Sequence, residues 1–146
     1  MEQTMQELID CKQLAVVGVS RSGRKFGNML FIELKKRGYE VYPVNPQAEE
    51  IKGERCYPDL NSLKGQVDGV VINVPPAPAL QVVRDAAAAG IHNIWVQQGA
   101  DSEEVVALGE ELELNMVSGK CILMYAPPVK SIHRLHRTIW KWIGKL

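Results

Sequence analysis

Short runs of consecutive apolar residues alternate along this chain with longer stretches whose apolar positions recur every three or four residues. The first periodicity suits strands buried on both faces, the second amphipathic helices. Met5–Cys11 reads as a short leading helix and Leu14–Val19 as a strand. Lys25–Arg37 carries Phe26, Leu30 and Leu34 at helical spacing and stops at Gly38. Glu40–Val44 is a second strand, ended by Pro43 and Pro46, and Arg55–Tyr57 a short third. Asp68–Val74 is a strand ended by Pro75-Pro76, followed by a helix over Ala77–Ala89 that Gly90 stops. Asn93–Gln97 is a strand ended at Gly99. A helix capped by Asp101 or Ser102 runs to about Glu113, with Glu103 and Glu104 where the helix dipole favours acids. Met116–Val117 and Ile122–Met124 are strand candidates around Gly119. Pro127-Pro128 precedes a last helix.

Apolar strands separated by helices predict an α/β fold: a Rossmann-like, doubly wound parallel sheet with helices on both faces, plus a C-terminal helix. Right-handed crossovers place ligands at the carboxyl ends of the strands. Four strand ends here are polar or carry proline: Ser20–Ser22, Asn45-Pro46, Val74-Pro75 and Gln98-Gly99. All four fall on one edge of such a sheet.

Composition narrows the classes. With 146 residues the chain is expected to form a single domain, 1–146, with 127–146 as an appended helix. Equal numbers of basic and acidic residues, 17 each, give no bulk attraction for nucleic acid. The N-terminus lacks a signal-peptide pattern, and no apolar run has the length of a membrane span. Cys11, Cys56 and Cys121 are far apart and suggest neither a disulfide framework nor a zinc site. A reducing, cytoplasmic setting is expected, and each cysteine reads as a small buried hydrophobe.

The chemistry concentrates after the first strand. Leu14-Ala-Val-Val-Gly-Val-Ser-Arg-Ser-Gly-Arg-Lys-Phe-Gly27 is an apolar run, a polar turn with glycines, and the start of a helix. A strand feeding a glycine turn and a helix N-terminus makes an anion site. Arg21, Arg24 and Lys25 add positive charge, so a phosphorylated ligand is expected. Gly18-x4-Gly23 has phosphate-loop spacing, but Arg24-Lys25-Phe26 supplies no magnesium-binding hydroxyl after the basic pair. In the dinucleotide fingerprint Ser20 replaces the middle glycine, and Asn45-Pro46 stands where an acid would hold the ribose. Both departures argue against NAD, while the basic turn would suit an additional ribose phosphate.

The chain resembles the small CoA-binding Rossmann proteins and, more distantly, the N-terminal domain of the succinyl-CoA synthetase α subunit. The residues that carry the resemblance are Val17–Ser20, Gly-Tyr-Glu-Val-Tyr-Pro-Val-Asn-Pro over 38–46, Ile51-Lys-Gly53 with Cys56-Tyr57, Asp68–Val71, and Ile-Trp-Val-Gln-Gln-Gly over 94–99. The resemblance implies CoA or acyl-CoA as ligand, its ADP half lying across the strand ends. It assigns Gly18, Val19 and Ser20 to the phosphate turn with Arg21, Ser22 and Arg24 beside it. It sets Asn45 and Pro46 against the adenosine, Val74 and Pro75 on the adenine side, and Gln98 and Gly99 at the fourth strand end. Two positions depart from the family: Asn73-Val74-Pro75 replaces a Phe-Arg pair, and Ser118–Cys121 replaces Asp-Arg-Cys.

The phosphorylatable histidine domain and nucleotide-binding partner of the synthetase have no counterpart here, so binding without catalysis is expected. From the residues alone, an NAD(P)-binding oxidoreductase and a partner-binding protein with an empty nucleotide site remain alternatives. His133 and His136 lack a third ligand and read as surface residues. The tail carries Lys130, Arg134, Arg137, Lys141 and Lys145 with no acid, around a stripe of Ile132, Leu135, Ile139, Trp140 and Ile143. A basic amphipathic helix can lie on an anionic membrane, but this one is expected to pack its stripe on its own domain or on a second copy, the latter giving a homo-oligomer.

Overall fold

The computed structural model describes residues 2–20, 26–51 and 53–126. The helix expected over 127–146, and any homo-oligomer built through it, lies outside the described residues. Five parallel strands form the main sheet: β1 (Gln13–Val17), β2 (Glu40–Val44), β5 (Gly69–Ile72), β6 (Asn93–Val96) and β7 (Asn115–Ser118), in the order β2-β1-β5-β6-β7. The four described helices are α1 (Glu2–Ile9), α2 (Phe26–Lys36), α3 (Pro76–Ala88) and α4 (Glu103–Glu111). A two-stranded antiparallel ribbon, β3 (Glu50–Ile51) with β4 (Glu54–Arg55), interrupts the stretch between β2 and β5. The expected Rossmann-like, doubly wound α/β architecture is present.

Strand alternation splits the core into two layers. Leu14, Val16, Val71, Trp95 and Val117 face one side, where they pack with Leu8 and Ile9 of α1 and Leu30, Phe31 and Leu34 of α2. Ala15, Val70, Ile72, Ile94 and Val96 face the other, with Ala79, Val83 and Ala86 of α3 and Val105 of α4. Trp95 is fully buried, and its indole N–H donates to the Lys120 carbonyl at 2.9 Å.

Helix ends follow their local chemistry. The Ser102 hydroxyl accepts from the Val105 amide at 3.1 Å, capping α4. Helices α2 and α3 end on Gly38 and Gly90 at positive φ, with the paired turn bonds that close a helix C-terminus. Helix α4 closes the same way on a non-glycine residue, Glu113, at φ 58°.

Three expectations need correction. Strand β1 ends at Val17 rather than Val19, because Gly18, at φ 123°, turns the chain out of the sheet. Ile122–Met124 is a 3-10 turn rather than a strand. Gln97 Oε1 takes the Ile122 amide at 2.8 Å and Arg37 Nη1 takes the Leu123 and Ala126 carbonyls, so these groups never reach a sheet ladder. The short strand expected at Arg55–Tyr57 is divided. Glu54–Arg55 pairs within the ribbon, and Tyr57 alone bridges Val44 of the main sheet. No helix among the described residues is long and apolar enough to cross a membrane.

Candidate functional site

The strands finish level with one another. Val17 pairs with both Val44 and Ile72, Ile72 with Val96, and Val96 with Ser118. The residues that follow this row form one edge. From β2 to β6 it spans three strand spacings, roughly 14 Å at ~4.8 Å each. The order reverses between β1 and β5, the topological switch point at which open α/β sheets bind ligands.

The described residues of the strand ends expected from the sequence follow this row. Gly18, Val19 and Ser20 follow β1; Asn45 and Pro46 follow β2; Val74 and Pro75 follow β5; Gln98 and Gly99 follow β6. Pro46, Pro75, Gln98 and Gly99 are exposed, Ser20, Asn45 and Val74 are half-buried, and Val19 is buried. Arg21, Ser22 and Arg24 lie outside the described residues.

The turn after β1 is held by contacts that allow no side chain at two glycines. A Cβ on Gly18 would stand 2.2 Å from the Asn73 carbonyl oxygen, and one on Gly27 would stand 2.1 Å from the Gly18 carbonyl oxygen. Gly27 therefore brings the first turn of α2 directly onto the end of β1, and the positive end of its dipole with it. The spacing of Gly18 and Gly27 signals this close approach in the sequence.

Two buried polar side chains also escaped the sequence reading. Asn28, 1% exposed, accepts from the Ser20 amide at 2.8 Å and donates to the Ser20 carbonyl at 2.9 Å. Its position on the α2 face shared by Phe31 and Leu34 was the available signal: a lone amide in an apolar stripe. Gln97, also 1% exposed, donates to Cys121 Sγ at 3.3 Å and accepts from Ile122. Asn45 joins two strand ends, donating to the Val19 carbonyl at 2.9 Å and accepting from the Gln47 amide at 2.7 Å. Its side chain thus serves as turn and as cross-link.

Two of the three thiols are held protonated. Burial, with Asp68, Asp10 and Glu7 nearby, pushes Cys11 up to about 12, and burial also raises Cys56. Cys121 is half-buried rather than fully buried. Among the described residues no three His, Cys, Asp or Glu side chains cluster as metal ligands.

The chain is similar to several known proteins. The "CoA binding domain" family matches residues 12–127. An ADP-forming acetate–CoA ligase II from Archaeoglobus fulgidus is 33% identical over 102 residues, 68% of this chain and 15% of that enzyme. The α subunit of the Pyrococcus furiosus ligase II is 27% identical over 120 residues, 75% of this chain and 26% of that subunit. This chain therefore spans only a minor part of the length of those ligases. A conserved hypothetical protein from Pyrococcus furiosus superposes with TM-score 0.74 at 39% identity, covering 77% of this chain and 97% of its own. The apo dinucleotide-forming acetyl-coenzyme A synthetase 1 of Ca. Korarchaeum cryptofilum superposes at 0.65 with 28% identity, over 78% of this chain and 27% of that one. With the matched segment enclosing all five level strand ends, the chain belongs to the CoA-binding domain family.

Proposed function

We propose that this protein binds CoA or an acyl-CoA, with the ADP half lying across the carboxyl edge of the sheet. The observation that carries the reading is the level row of strand ends at the β1/β5 switch point, onto which Gly27 brings the N-terminus of α2. Gly18, Val19 and Ser20, with Arg21, Ser22 and Arg24, would meet the pyrophosphate. Asn45 and Pro46 would border the adenosine, Val74 and Pro75 the adenine, and Gln98 and Gly99 the far end. The exposed, largely neutral surfaces of Pro46, Pro75, Gln98 and Gly99 fit a flat, polar nucleotide.

In this reading the protein holds its ligand without converting it. The amides Asn28, Asn45 and Gln97 at or just behind the edge are engaged in structural hydrogen bonds, and an amide does not transfer protons at neutral pH. Denaturation midpoints measured with CoA, NADPH and ATP in turn test the proposal. CoA at ~100 times its dissociation constant adds about 2.7 kcal/mol, a shift of several degrees in a domain this size. No shift with CoA, acetyl-CoA or a longer acyl-CoA, or a larger shift with NADPH, would overturn it. Arg24→Glu, which replaces attraction with repulsion, should weaken CoA binding while leaving the circular dichroism spectrum native.

A further inference from the structure

The end of β2 is where nucleotide-binding sheets of this kind distinguish one ribose from another. An acid there holds free hydroxyls, and a nearby arginine accepts a ribose phosphate. This chain has Asn45 at that position, and its amide is committed to Val19 and Gln47. The neighbouring residue that can read the ribose is supplied by the second strand of the ribbon.

Tyr57 is stitched to the end of β2. Its amide donates to the Pro43 carbonyl at 2.9 Å, and its carbonyl accepts from the Asn45 amide at 2.9 Å. Two residues earlier stands Arg55, and in extended chain residues two apart share a side. Glu54 and Cys56 take the α2 side: Glu54 pairs with Lys35, and Cys56 joins the α2-side core. Tyr57 takes the other side, packing with Tyr42 at a centroid distance of 5.8 Å against the α3-side core. Arg55 lies over the Tyr57 ring, its guanidinium carbon 4.9 Å from the centroid. The ring therefore holds a cation beside the residue expected to border the adenosine.

The charge of Arg55 is uncommitted among the described residues. Lys35 and Arg37 pair with Glu54 and Glu33, whereas Arg55 makes no ion pair, even with its cross-strand neighbour Glu50. Its exposed planar fork can accept a phosphate through two parallel hydrogen bonds while its face stays stacked.

We propose that Arg55, carried on Tyr57, recognises the 3′-phosphate of CoA and so selects CoA over nucleotides with a bare adenosine ribose. This inference rests on the CoA reading above. The test is calorimetric affinity of the full chain for CoA and for 3′-dephospho-CoA, in the wild type, Arg55→Ala and Tyr57→Leu. The wild type should prefer CoA by about tenfold or more, the scale of one charge-assisted contact. Arg55→Ala should reduce the preference to about twofold or less and leave dephospho-CoA affinity unchanged. Tyr57→Leu should weaken the preference by freeing the guanidinium. A wild type that binds both ligands equally, or an Arg55→Ala variant that keeps the preference, overturns the assignment while CoA binding stands. A wild type that binds neither overturns the CoA reading and this inference with it.

Discussion

Asn28 grips Ser20 by both of its backbone polar groups, amide to Oδ1 at 2.8 Å and carbonyl to Nδ2 at 2.9 Å. One buried side chain thereby does for the turn after β1 what a neighbouring strand does inside the sheet, and it does so from the first turn of α2. Removing it takes away one hydrogen bond from each of these two backbone groups. Asn28→Ala should cost about 1–3 kcal/mol, seen as a lower urea midpoint, and should weaken CoA binding by loosening the turn. An unchanged midpoint would refute the role assigned to the amide.

Gly27→Ala tests the contact between α2 and the end of β1. Its Cβ would stand 2.1 Å from the Gly18 carbonyl oxygen, a backbone atom that cannot rotate away. Helix propensity alone favours alanine by ~1 kcal/mol. The expected result is nonetheless a net loss of about 1–3 kcal/mol, as in overpacked cores. A variant that gains stability would show that the helix can slide off the strand end without penalty.

Glu113→Gly should stabilise the protein. Glu113 sits at φ 58°, at the helix-closing position where α2 and α3 use glycine. Relieving the left-handed strain, less the extra freedom glycine gains when unfolded, leaves about 0.5–1 kcal/mol. The residue is exposed, so no packing is lost. Thermal denaturation of the two proteins decides the matter, and an equal or lower midpoint counts against it.

Stability should fall at alkaline pH. The Cys11 thiol is raised from 9.0 to about 12, and burial together with Asp10 also raises Tyr39, whose hydroxyl donates to the Ile9 carbonyl at 2.6 Å. Above the unfolded value the unfolded chain releases a proton that the native state keeps. Stability is therefore fully present below about pH 9 and declines as pH rises toward 12. Urea midpoints at about pH 8 and pH 10.5 should differ, and Cys11→Ala should flatten the dependence. A wild-type profile already flat over that window would contradict the burial of both groups.

The sheet was legible because its strands are apolar and because α2 and α3 end on glycine. Glu40–Val44 is bounded as expected, and Gly38 and Gly90 stop their helices through their backbone conformation. Val19 misled because it is buried among the α2-side core without being in a strand. Hydrophobicity reports burial, whereas Gly18 decides the conformation. Ile122–Met124 misled for a related reason. Its apolar residues suit a strand, but the groups that satisfy its backbone belong to Gln97 and Arg37, far away in sequence. The strand-end residues could be placed because parallel topology puts every carboxyl end on one edge. Asn28 was missed although its position in an apolar stripe was visible. The pairing of Arg55 with Tyr57 needed the ribbon, which periodicity over two-residue strands does not reveal.

The Asn28 grip has a consequence for how a ligand is held. With the Ser20 amide committed to Asn28 Oδ1, a phosphate at this turn has one fewer backbone donor to meet it at short range. In the proposed site, more of the attraction would come from the charges of Arg21, Arg24 and Lys25. Attraction between exposed charges decays over ~8–10 Å in physiological salt, whereas a short buried hydrogen bond is screened much less. Retention of the ligand should therefore depend on ionic strength: CoA captured in dilute buffer should be released progressively as salt is added, with the fold intact.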